Sequence, residues 1–258
     1  MIQLRGTRTL VAYIMTTALR DRLFLAFLVL TALAASMAVF IGGAAVVEKH
    51  ELSVVYVAAA TRLILIAGLV MFVCFHIRRL FESREVELML SRPISRTNFV
   101  FAYVVSLVVL SIVAVIIATI VVGAVARPEP AGLARWSASL LLECIIMMLT
   151  ALFFALAMTS AVANVLACFG FYVLARMIGL LTGIAQTTPD EAVLLRFVGW
   201  VMEAISVVIP RLDLFGQTAW LIYGVGGEVG FMVIALQGLV YVPLVVAAAV
   251  FDIQRWQF

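Results

Sequence analysis

Three ionisable residues, Arg62, Glu143 and Arg176, stand inside long apolar runs of this sequence. A charge at bilayer depth costs roughly 2.5–3.5 kcal/mol on insertion scales, so each of them must face protein or water. All three fall in the outer half of their runs, which leaves two chemistries open. Glu143 can pair with Arg62 or Arg176 and pin helices together, or the surplus arginine can face a vestibule and meet an anionic substrate. The other chemistry-bearing residues are scattered. Cys74, Cys144 and Cys168 lie in apolar runs without the clustered spacing of a metal site, and read as small hydrophobes rather than zinc ligands or a disulfide set. His50 and His76 stand alone, and Cys74 and His76, two apart, diverge on a helix. The methionines read as filler on apolar helices rather than copper ligands. No HExxH, paired aspartate or Ser/His arrangement lies in the runs, which weighs against an intramembrane enzyme.

The elements that must position these residues follow from composition. Of 258 residues 66% are hydrophobic and 12% charged, against about 45–50% and about 25% in soluble domains. No soluble fold of this length buries that much apolar surface. Lipid is then the solvent, which forces helices or a closed barrel, and long runs without two-residue alternation decide for helices. The expected fold is an all-α membrane protein, a single transmembrane domain over residues 1–258. Six spans are expected, at 23–47, 54–77, 99–125, 138–160, 161–184 and 229–251. Residues 1–22 carry Arg5, Arg8, Arg20 and Arg22 among helically spaced apolar residues and suit an interfacial helix. The basic region is too extended, and the next apolar run too long, for a cleaved signal peptide. Thr159, Ser160 and Asn164 mark a tight hairpin between the fourth and fifth spans, and Pro243 suits a kink in the sixth.

Residues 185–228 precede the last span. Thr188-Pro189-Asp190-Glu191 reads as a helix start, with a capping hydroxyl, proline at the first helical position and a glutamate three residues on. Pro210 ends that helix, which carries Arg196 and Glu203 on one face. A second apolar piece, 214–225, is too short to cross. The pair is expected to dip into the outer leaflet and return as re-entrant helices. A full seventh crossing is the rival reading and would put Arg255 outside.

Net charge is +3 and rests almost wholly on arginine, a surplus that sets orientation and gives no argument for a nucleic-acid partner. With the N-terminus in the cytoplasm, the inner side receives Arg5, Arg8, Arg20, Arg22, Arg78, Arg79, Arg84, Arg92, Arg96 and Arg255. The outer side receives the fewer Lys49, Arg127, Arg135, Arg196 and Arg211. The positive-inside rule then places both ends inside.

The stretch "FESREVELMLSRPISRTNF", residues 81–99, is the densest run of charge in the chain, and it joins the second and third spans. Arg78, Arg79, Glu82, Arg84, Glu85 and Glu87 suit a helix that continues the second span beyond the membrane. Pro93 breaks that helix and pushes Arg92 out of the helical region, and Ser95 or Thr97 can cap the next one. Such an element either docks onto a partner or is a solvated loop whose arginines fix topology.

"ESREVELMLSRPISRTNF" resembles the segment between the second and third spans of ABC-2 type transporter permeases, where an acidic helix and a Leu-Leu-Ser-x-Pro-like turn precede the third span. The interfacial helix, six spans and re-entrant helices before the last extend the likeness to the whole plan. The resemblance implies a cytoplasmic coupling helix over 78–97 that sits in a groove of a separate ATPase subunit. Glu82, Arg84, Glu85, Glu87 and Arg92 would be the docking residues, and Pro93 would shape the turn. It implies a bacterial inner-membrane permease, most naturally an exporter, working with a second copy or a sister permease. No Gly-rich phosphate loop ending in Gly-Lys-Ser/Thr occurs in the chain, so ATP and Mg would belong to the partner ATPase and no cofactor to this chain. An ion- or proton-coupled carrier is the alternative, but it calls for an acid near the midplane and internal repeats. Glu143 is the single intramembrane acid and is not central. A membrane assembly factor is a weaker alternative still.

Overall fold

Each long apolar run is a helix, because a backbone in lipid must satisfy its own hydrogen bonds. The computed structural model describes residues 11–17, 20, 22–44, 49–83, 96–187, 209–224 and 230–255. The long helices are α1 (Arg22–Ala44), α2 (Lys49–Glu82), α3 (Arg96–Ala126), α4 (Pro130–Ala157) and α5 (Ala161–Thr187). A 3-10 turn (Leu212–Leu214), the short α6 (Ala219–Ile222) and α7 (Phe231–Arg255) follow. No strand occurs among the described residues. Among the described residues, five helices are long and apolar enough to cross a membrane: His50–Glu82, Thr97–Ala126, Pro130–Ala157, Ala161–Gly179 and Phe231–Gln254. α1 itself is 23 residues long and apolar after Arg22, and Val29–Ile41 is the part of it whose side chains are described throughout.

α4 is the hub. Of its membrane window 67% is buried, against 22% for α7, and it packs on α2, α3, α5, α6 and α7. α1 lies on α2 and α3, at the edge of the bundle. The core is aliphatic and aromatic, with Leu65, Ile66, Phe99, Tyr103, Trp136, Leu140 and Trp220 each almost wholly buried. Ser106, Ser111, Thr119 and Thr150 sit within spans at little cost, because each hydroxyl donates to the carbonyl four residues earlier.

The helix ends differ from expectation in instructive ways. α4 begins at Pro130, well before the expected start at 138. Proline at the first helical position is preset for the turn, and the Leu133 amide donates to the Glu129 carbonyl at 3.0 Å. Thr97 lies inside α3 and is not its cap, while Ser95 is outside the described residues. Just beyond α3, Arg127 has a φ of 43°, a left-handed cap without glycine, and Pro128 prevents the helix from continuing. Between α4 and α5 the break falls at Met158–Ser160, and Asn164 belongs to the first turn of α5. With its amide nitrogen toward the corner, buried Asn164 donates to the carbonyls of Phe154 and Ser160, at 3.1 and 3.2 Å, and staples the hairpin. Pro243 lies inside α7, as expected of the sixth span. The N-terminal stretch 1–10 and the segment 188–208, including Thr188–Glu191, Arg196 and Glu203, lie outside the described residues.

Residues 209–224 form a strap that packs back onto α2, α4 and α5. It is not the single apolar helix expected for 214–225. Gly216 and Gly224 both adopt positive φ, 57° and 74°; the first lies between a 3-10 turn and the short α6, and the second follows α6. α6 lies so close to α4 that a Cβ on Gly132 would overlap the Trp220 carbonyl. Gly132→Ala is therefore expected to lower stability by about 1–3 kcal/mol. Gly170→Ala, whose Cβ would meet nothing within 4 Å, is expected to leave the unfolding midpoint in detergent unchanged or slightly raised.

Candidate functional site

The strap meets the three intramembrane charges. Tyr172 and Arg176, four apart on α5, share a face, as do Ser139 and Glu143 on α4. Arg62 comes from the opposite side, on α2. Glu143 is fully buried. Its Oε1 lies 3.5 Å from Nη1 of Arg176 and accepts from the Tyr172 hydroxyl at 3.2 Å. Arg176 Nη1 also donates to the carbonyls of Leu212, at 2.7 Å, and Phe215, at 3.1 Å. Arg62 Nη1 donates to the Gly216 carbonyl at 2.6 Å and reaches that of Phe215 at 3.5 Å. The Gly216 amide in turn donates to the Ser139 hydroxyl at 2.9 Å.

Three helices thus hold one non-helical turn. A 3-10 turn closed by an extended Phe215 and a left-handed Gly216 interrupts the helical ladder and turns carbonyls toward the bundle. Two guanidiniums donate to these, bracketing the Phe215 carbonyl between them. Their joint charge exceeds that of Glu143 by one, and the carbonyl dipoles face the surplus. Gly216 is required here twice over. Its φ is left-handed, and a Cβ would stand 2.7 Å from Arg62 Nη1 and 3.3 Å from Glu143 Oε2.

This arrangement brings Glu143 and Arg176 together as an ion pair and turns Arg62 to the strap. Arg62 engages the strap through Nη1, while its Nε is shielded and makes no hydrogen bond among the described residues. The sequence reading named the three charges but missed Ser139, Tyr172 and Gly216. Spacing of four on a shared helix face was the available signal for the first two. The strap carbonyls had none, since a backbone acceptor carries no sequence signature.

Of the connector residues, Glu82 ends α2 and accepts from Arg78 Nε at 2.9 Å, an exposed i,i+4 pair. Arg79 is exposed beside it while Leu80 is buried. Arg84, Glu85, Glu87, Arg92 and Pro93 lie outside the described residues. Cys74, Cys144 and Cys168 are free and buried, and no group of three or more potential metal ligands occurs among the described residues.

Compared with known proteins, the chain matches no family model and no curated sequence. Fold and site define a class: a multi-pass helical membrane protein with a strap folded back into its bundle and held by buried charge.

Hydrogen bonds from charged donors contribute about 1.5–3 kcal/mol each. Arg62→Gln and Arg176→Gln should each lower stability by about 2 kcal/mol, read from unfolding midpoints in detergent. Glu143→Gln should cost less in the Arg176→Gln background than alone, because the charge it balances is already gone. Additive losses in that double-mutant cycle would contradict the ion pair.

Proposed function

We propose that this chain is the membrane-spanning permease subunit of an ATP-driven transporter, and that a separate ATPase subunit grips its charged connector. The observation that carries this reading is α2. It runs unbroken for 34 residues, about 51 Å, where a bilayer core is about 30 Å thick. Beyond its apolar stretch it continues through Arg78, Arg79 and Glu82 into the mixed-charge connector, while its other half carries Arg62 to the strap. A rod of this kind joins a polar handle at one face of the membrane to the strap near the other.

Closure of two ATPase subunits would push on the connector, and α2 and α3 would pass the movement to α4, on which both pack. Arg62 would then shift against the strap carbonyls, so that nucleotide state biases an open or closed strap through differential contacts. Six spans, α1 among them, would make half of a transporter, with a second copy or sister permease completing the path. Export is the natural direction for this plan, with both termini and the connector in the cytoplasm of a bacterial inner membrane.

Two measurements test the reading. The chain purified from its native membrane in mild detergent should bring down a magnesium-dependent ATPase in equal stoichiometry. Reversing Arg84, Glu85 and Glu87 together should reduce that ATPase about tenfold or more, equivalent to about 1.4 kcal/mol of docking energy, with the unfolding midpoint unchanged. Transport by the lone chain under a proton gradient, with no ATPase recovered, would overturn the proposal in favour of a coupled carrier.

A further inference from the structure

A cleft of about 220 Å³ opens between α7 and the foot of the strap. Pro210 and Arg211 form one wall, and Leu236, Gln237, Val240 and Tyr241 of α7 form the other. Its rim is apolar and turned to the bilayer, with Leu236 and Val240 57% and 59% exposed. Its lining is mostly apolar, and Arg211 and Gln237 bring polar side chains to it. Arg211 uses Nη2 and Nε on Asp213, at 3.0 and 3.5 Å, and Nη1 has no hydrogen-bond partner among the described residues. Gln237 Oε1 is shielded from solvent and makes no hydrogen bond.

A guanidinium with a spare donor and an unmatched acceptor line the same cleft, both on an apolar surface. A shielded acceptor calls for a donor, and a part-exposed guanidinium is best matched by a phosphate or carboxylate. The complement is an amphiphile that presents an anionic acceptor and a nearby donor on an apolar body. We propose that the cleft binds one phospholipid of the leaflet at the strap end. Its phosphodiester lies on Arg211, its headgroup hydroxyl or ammonium donates to Gln237 Oε1, and its acyl chains lie along Leu236 and Val240. The volume suits a headgroup, so the chains stay in the bilayer. Gln237 lies about 9 Å along α7 from Phe231, and the long arginine side chain bridges that depth toward the interface. Asp213 holds the guanidinium in place: it sits over Gly179 of α5, where a Cβ would overlap its carboxylate.

The test uses the full chain in vesicles of phosphatidylglycerol, phosphatidylethanolamine or phosphatidylcholine, extracted in mild detergent, with retained lipid counted by native mass spectrometry. One lipid per chain is expected. Phosphatidylglycerol and phosphatidylethanolamine should exceed phosphatidylcholine, which has no headgroup donor, by about fivefold to tenfold. Arg211→Gln should lose all three lipids. Gln237→Leu should keep binding but erase the preference, and Asp213→Asn should retain lipid. Millimolar inorganic phosphate should not displace the lipid, since it lacks the apolar body. Equal retention of phosphatidylcholine by the unaltered chain, displacement by phosphate, or full retention by Arg211→Gln would each overturn the proposal. If Arg211→Gln fails to fold, the loss of preference in Gln237→Leu decides.

Discussion

Non-helical backbone deep in a membrane protein survives only if every exposed carbonyl and amide finds a partner inside the protein. Residues 212–216 pose that problem, and the intramembrane charges answer it. Arg176 takes the carbonyls of Leu212 and Phe215, Arg62 that of Gly216, and Ser139 the Gly216 amide. Glu143 then supplies the counter-charge that lets Arg176 sit at this depth. The charges and the strap need each other: arginines without the carbonyls would be stranded, and the Phe215 and Gly216 carbonyls would lose the donors that Arg62 and Arg176 supply.

The rest of the bundle is arranged around this knot. α4 is the most buried helix because it carries Ser139 and Glu143 on one face, and Gly132, against α6, nearer its start. α5 contributes Tyr172 and Arg176 from a second side, and α2 contributes Arg62 from a third. Trp220, under the Arg135 guanidinium at 5.7 Å, and buried Leu221 extend the contact beyond the knot. A segment fastened to three helices cannot move without them.

Much of the fold was legible in the sequence because lipid leaves so few options. Apolar runs at 54–77, 99–125 and 161–184 reappear as α2, α3 and α5, each extended at one or both ends by polar residues that hydropathy discounts. The fourth run was expected to start at 138, yet its helix begins at Pro130: proline opens a helix well, and Gly132 is kept small by the strap. The strap itself was expected as a helix from its apolar composition. Gly216 and Gly224, together with arginines from elsewhere in the chain, turned it into something else.

Sequence alone determined that this chain lives in lipid as helices, and that Arg62, Glu143 and Arg176 must face something other than lipid. Both conclusions rest on transfer energies, which depend on residue type and not on neighbours. Only the tertiary structure decided what those charges face. The partners are mostly main-chain carbonyls about 36 to 154 residues away in sequence, and a carbonyl is the same atom in every residue, so no local pattern announces it.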